Sequence, residues 1–233
     1  VRTYYAKTSG ARIPYEPPAS AWNPLDLITA QGPPFAIDLT SNNRIGTRHT
    51  YSATNYEAGV RGALPHGGVV GEKWYLELKI LSTGTPGDTQ NLQFGLVDST
   101  QLDVLTRPPL SDSSLVTNLA GNYLLAYTRT IDGVVWTSYP TPLTHPGGMG
   151  AGPFTGDVYS FAWDVGTAVT IRRNNASPLV VPFTPTVTMF PYMSAGTTNA
   201  NGPDHLSTGE SVLIQAGRKQ QTYAPPAGYH PWG

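Results

Sequence analysis

Cysteine is absent from the 233-residue chain, which excludes a disulfide framework, thiol chemistry and any Cys-based zinc site. Charge is scarce as well. Asp, Glu, Lys and Arg make up 12% of the residues, with a formal net charge of −1, against roughly 25% charged in an average globular chain. No window concentrates Lys and Arg: Arg172-Arg173 and Arg218-Lys219 are isolated pairs, so a phosphate-tracking stripe, and with it nucleic acid as a partner, is not expected. No run approaches the roughly 20 apolar residues that span a bilayer. The opening Val1-Arg2-Thr3-Tyr4-Tyr5 also lacks the apolar core of a secretion signal, so membrane insertion is not expected. A Val at position 1 fits removal of an initiator Met or trimming of a longer precursor.

What the chain has in abundance is turn chemistry. It carries 25 Gly and 22 Pro, spread along its length, which points to short strands joined by many turns. A surface this poor in charge gives little electrostatic protection to sheet edges, so burial against other subunits, as an oligomer or part of a larger assembly, is expected. Residues 1–20 read as an extended arm punctuated by Pro14, Pro17 and Pro18, and residues 21–233 as one domain.

The clearest strands carry period-2 alternation. In Lys73–Leu81, Trp74, Leu76, Leu78 and Ile80 face one way, and Lys73, Tyr75, Glu77 and Lys79 the other. In Val158–Asp164, Tyr159, Phe161 and Trp163 share a face opposite Ser160 and Asp164. Val169 and Ile171 resume the pattern after Val165-Gly166-Thr167, and Asn174-Asn175 is suited to left-handed turn conformations. Further strands are expected at Phe35–Thr40, Arg44–Tyr51, Leu92–Asp98 (with a bulge or close backbone approach at Gly95), Leu179–Phe183, Thr188–Ala195 and Ser211–Gln215. Tyr123–Arg129 and Val134–Ser138 flank an Asp132-Gly133 hairpin signal. No segment offers an amphipathic helix of three turns; Ser99–Asp103 and Ser111–Leu119 have room for a short one. The fold class is all-β, two packed antiparallel sheets.

Long connections at Arg107–Leu119, Tyr139–Thr155 and Gly196–Gly209 stand out, the second nearly structureless by composition. Candidate partner-binding residues follow from these loops and the arm: Tyr4, Tyr5 and Tyr15 as aromatics of the arm, with Arg107, Trp136, Tyr139 and His145 on or beside the loops. Trp74, Phe161 and Trp163 read as core, and Trp22 and Trp232 as seals at the two ends of the domain.

Gly156-Asp157-x-Tyr159-x-Phe161-x-x-Asp164 followed by Asn174-Asn175 resembles the central signature of SPRY domains. Gly71-Glu72-Lys73-Trp74-Tyr75-x-Glu77 resembles their GKWYFE-type strand, Phe94-Gly95-Leu96-Val97 another of their strands, and Phe190-Pro191-Tyr192 a later one. Ala21-Trp22-Asn23-Pro24-x-Asp26 and Tyr223-Ala224-Pro225-Pro226-Ala227-Gly228-Tyr229 resemble the ends of stand-alone SPRY modules of bacteriophage and prophage proteins. The resemblance implies a concanavalin-like SPRY β-sandwich with long loops, one that binds and performs no chemistry. It further implies a virion structural protein, assembled in the host cytoplasm: a head-decoration or tail/fibre subunit with other virion proteins as partners. The alternative is a receptor-binding module for a host-surface glycan or protein.

The same sandwich hosts glycoside hydrolases, which need two carboxylates across the scissile bond. No E-x-D-x-E-type strand is present: Glu77 is the only acid in its strand, and Asp157 and Asp164, seven apart, fall on opposite faces. Asp164 reads as a turn former whose side chain bonds the amides of Val165–Thr167. There is no G-x-S-x-G, and His49, His66, His145, His205 and His230 fall in five unrelated contexts. Asn199, Asn201 and Asp204 are the one loop group with calcium-ligand chemistry, and turn formation is the better reading of them. The Asn175-Ala176-Ser177 sequon carries no weight without a secretion signal. Neither enzymatic activity nor a cofactor or metal is expected.

Overall fold

The computed structural model describes residues 5–8, 11–14, 21–29, 37–41, 44–48, 57–83, 91–98, 122–128, 134–137, 143–145, 149, 154–196, 210–217 and 220–233. No helix occurs among them. Strands are numbered along the chain. One sheet runs β12 (Leu143–His145), β11 (Val134–Thr137), β10 (Tyr123–Thr128), β9 (Asn91–Asp98), β16 (Thr188–Gly196), β6 (Glu57–Gly62) and β3 (Trp22–Thr29), with β7 (His66–Gly67) also paired to β16. The other runs β15 (Leu179–Phe183), β14 (Thr167–Arg173), β13 (Val158–Asp164), β8 (Lys73–Thr83), β17 (Glu210–Gln215), β5 (Ile45–Arg48) and β4 (Ile37–Thr40), with β18 (His230–Pro231) also paired to β8. Apart from the parallel β18–β8 pair, the described pairings are antiparallel. The arm contains a two-stranded hairpin of its own, β1 (Tyr5–Thr8) with β2 (Ala11–Pro14), where the sequence showed no periodicity.

The sheets are joined by one core. Leu92, Phe94 and Leu96 of β9 meet Leu76, Leu78 and Ile80 of β8 and Tyr159, Phe161 and Trp163 of β13. Phe94 and Tyr159 contact edge to face at 4.7 Å, and the Trp22 indole N–H donates to the Val212 carbonyl at 3.3 Å. Trp22 is therefore a core residue that ties one sheet to the other, and Trp232 too is fully buried. Neither is a seal at the margin.

The hairpin β13–β14 forms as its alternation dictates, with Phe161 opposite Ile171 and Trp163 opposite Val169. Asn174 and Asn175 have φ of 50° and 58°, the left-handed region that Asn tolerates better than most residues. Asn174 also works as a side chain: its Oδ1 accepts from the Val158 amide at 2.9 Å and its Nδ2 donates to Asp157 Oδ1 at 2.6 Å. One expectation is corrected, and one of two alternatives is excluded. Asp164 reaches across the sheet to Lys73 Nζ at 3.0 Å, because the β13–β8 register places the two side by side. Gly95 lies in unbroken register with Leu125 and Tyr192, without a bulge.

The loop Tyr139–Thr155 is not without structure, since Leu143–His145 pairs with β11. Its end is fixed: the Phe154 amide donates to Asp157 Oδ2, and Arg173 binds Asp157 at 2.7 Å and the Met149 carbonyl at 3.4 Å. The short helices considered at Ser99–Asp103 and Ser111–Leu119 lie outside the described residues.

The largest departure from the sequence reading concerns the second face of β8. Alternation put Tyr75 and Glu77 on the face opposite Leu76, Leu78 and Ile80, yet both are buried as well. The C-terminal segment covers them. Strand β17 follows β8 only as far as Glu77, where Gln215 is its partner. Beyond that point β18 takes the vacated edge, pairing His230 with Trp74 and Pro231 with Tyr75. The Trp232 amide then donates to the Tyr75 carbonyl at 2.8 Å. Glu77 holds the strap down: its carboxyl oxygens accept from the Tyr75 hydroxyl at 2.8 Å and from the amides of Thr222 and Tyr223 at 2.6 and 2.9 Å. A buried acceptor that satisfies three donors gains on each, whereas leaving any of them dry is costly.

Candidate functional site

Two turns meet at the mouth of this strap. In Val69-Val70-Gly71-Glu72 the Glu72 amide donates to the Val69 carbonyl at 3.2 Å, and in Pro226-Ala227-Gly228-Tyr229 the Tyr229 amide donates to the Pro226 carbonyl at 3.1 Å. Gly71 and Gly228, third in their turns, have φ of +87° and +86°, the value a type II turn requires there. The first turn is pinned on the tip of the β13–β14 hairpin, with Gly71 donating to Val165 and Val165 donating to Glu72. Between the two turns lies a cavity of about 750 Å³ lined by Val70, Gly71, Glu72, Lys73, Trp74, Ala227, Gly228 and His230.

Trp74 is the centre of its polar and aromatic chemistry. Its expected place in the core is corrected: it is half-buried and packs against the core from the rim. His66 stacks on its ring at 3.8 Å and 21°, His230 lies at 5.9 Å, and its indole N–H donates to Glu72 Oε2 at 3.3 Å. Behind it Trp232 contacts Trp74 edge to face and stacks on Trp163 at 6.3 Å. The Lys73 ammonium, already paired with Asp164, stands 5.6 Å from the Tyr229 ring centroid. The rim beside the cavity is apolar and open: Val69 and Val70 are 60% and 70% exposed.

Burial lowers the His66 pKa below its ordinary 6.5, opposed in part by the Glu72 carboxylate. The neutral ring can accept from the Gly233 amide through Nε2, 3.3 Å away, which a protonated ring cannot. A base whose pKa is depressed on folding stabilises the fold above its unfolded pKa, and that contribution disappears as pH falls from 6.5 toward the folded value. The melting temperature of the parent is therefore expected to fall more between pH 7.5 and pH 5 than that of His66→Gln. Parallel melts at the two pH values check it; equal falls would show that His66 does not titrate with folding. Burial also raises the pKa of Tyr75, reinforced by its bond to Glu77, and that of Tyr159, so both hydroxyls stay protonated at any physiological pH.

The buried acids outside the cavity, among the described residues, are committed elsewhere. Glu77 and Asp157 hold the strap and the hairpin, and Asp98 Oδ2 accepts from the backbone and side-chain N–H groups of Asn122 at 2.7 and 2.9 Å. Among the described residues no three His, Asp or Glu side chains converge as metal ligands.

The partner-binding candidates singled out from the sequence fall wholly or in part outside the described residues. Tyr4, Tyr15, Arg107 and Tyr139 are outside the described residues. Tyr5, Trp136 and His145 fall in β1, β11 and β12, but their side chains are outside the described residues. Asn199, Asn201 and Asp204 are outside them as well. What the sequence reading missed is the meeting of His66 and His230 on Trp74. The available signal was the pair of x-x-Gly-x turns, one just ahead of Trp74 and the other ahead of His230.

No protein-family model matches the chain, and no curated protein matches it. Solved structures do. The SPRY domain of human HERC1 aligns over 83% of this chain and 96% of its own at 14% identity and TM-score 0.48. The NEUZ (NHR) domain in Neuralized from Drosophila melanogaster aligns over 90% and 94% at 10% identity and TM-score 0.46. The Emp47p carbohydrate recognition domain aligns over 83% and 95% at 11% identity and TM-score 0.46. The all-β architecture of two packed antiparallel sheets expected from the sequence is what the chain's own strand pairings show.

Proposed function

We propose that this protein is a non-catalytic binding module and that its setting is a bacteriophage virion, as a head-decoration or tail/fibre subunit. The observation that carries the non-catalytic reading is the lining of the rim cavity: among the described residues it contains a single acid, Glu72, where glycoside hydrolysis needs two. The cavity instead offers a half-buried indole beside open apolar and polar walls, the composition of a recognition site. Support for the virion setting comes from the sequence at both ends of the domain. The phage-like Trp22 segment and the Tyr223–Tyr229 tail are integral to the fold, one bridging the sheets and the other strapping β8. Immunolabelled negative-stain images of purified particles are expected to show the protein on the head or tail, and its absence from virions would contradict the setting.

The second reading, recognition of a host-surface glycan or protein, is favoured by the same cavity. Deleting residues 1–20 separates the two. Loss of particle incorporation supports docking through the arm, whereas cell binding retained by the deleted protein supports a receptor role carried by the sandwich.

A further inference from the structure

We propose that the cavity between the Val69–Glu72 and Pro226–Tyr229 turns is a subsite for a neutral oligosaccharide, with the Trp74 indole as its platform. The proposal rests on the binding-module reading and gives it a location on the sandwich.

Strand addition by a peptide is blocked at this place. β8 has β13 along one edge, and β17 followed by β18 along the other, so neither edge of β8 is free for a peptide to pair with. Charge does not select an anion either. Lys73 is neutralised by Asp164 at 3.0 Å, and the Glu72 carboxylate, oriented by the Trp74 N–H, offers an acceptor. The remaining features suit a polyol: an aromatic platform, a carboxylate acceptor, the exposed His230 ring and two bare glycine walls. An added Cβ at Gly71 or at Gly228 would find open space, with nothing within 4 Å. Its volume, about 750 Å³, is in the range of small-ligand sites, roughly 300–1,000 Å³.

The test titrates maltotriose, cellotriose, mannotriose and triacetylchitotriose into the full chain, followed by tryptophan fluorescence and calorimetry. At least one is expected to bind at millimolar concentration or below. Trp74→Ala and Ala227→Arg are each expected to weaken it about tenfold or more, as for a central contact of an interface, with Phe154→Ala unchanged. Ala227 is exposed on the tail, so Ala227→Arg crowds the cavity without removing any core packing and covers the case in which Trp74→Ala fails to fold. Absence of binding by all four sugars would overturn the proposal. So would equal binding by Ala227→Arg, or displacement of the bound sugar by a proline-rich peptide. Cell or particle binding that persists in Ala227→Arg, with no sugar bound by the parent, would overturn the subsite alone and leave the binding-module reading standing.

Discussion

Glu77→Ala is expected to lower stability by about 3–5 kcal/mol, because one buried and two part-buried donors lose their acceptor at once and each donor left dry costs roughly 1–3 kcal/mol. The Tyr75 hydroxyl and the Thr222 and Tyr223 amides all point at this carboxyl, and Glu77 has no exposed surface at which water could replace it. For a domain of this size the corresponding fall in melting temperature is roughly 10 °C. Glu77→Gln keeps the volume and one acceptor oxygen, so it is expected to lose about half as much. Thermal melts of the three proteins check it. A loss below about 1 kcal/mol for Glu77→Ala, the scale of an ordinary surface change, would mean the strap is held by other contacts.

Gly67→Ala is the second large effect. Gly67 has a φ of +91°, and a Cβ there would stand 2.3 Å from Cη2 of Trp163. The indole cannot retreat, since Trp163 is fully buried between Phe183 at 6.2 Å and Trp232 at 6.3 Å. Left-handed backbone strain of about 1–2 kcal/mol and overpacking of about 1–3 kcal/mol act together. The expected loss is therefore about 2–5 kcal/mol. Trp163→Phe removes the ring atoms that clash. Denaturant titrations are thus expected to show Gly67→Ala/Trp163→Phe losing less than the sum of its single variants, as coupled neighbours do. Strict additivity would show that the clash is relieved by backbone movement and not by the indole.

Both effects arise where sequence reading stopped. Alternation alone marked the inner faces of β8 and β13, because Leu76, Leu78, Ile80, Phe161 and Trp163 obey a period that only a half-buried strand requires. It marked the Asn174-Asn175 turn for the same reason, a local backbone preference. It could not mark the burial of Tyr75 and Glu77. Their face would be solvated if the chain ended at Gln215; it is dry because residues 220–233 return to it, a long-range pairing with no local signature. Trp74 was misread on the same account. Its period places it with Leu76, but it lies where the strand leaves the core, and its neighbours His66 and His230 arrive from distant turns. The fold was therefore legible from the strands that build it, while the candidate site, assembled from a turn and a tail, was not.

The central claim is that this returning tail completes the sandwich and builds the cavity against β8. Amide hydrogen exchange at Thr222 and Tyr223 tests it most directly. The account predicts that both amides exchange only when β8 itself opens, with protection matching that of Leu76 and Leu78. Exchange at loop rates while β8 stays protected would contradict it.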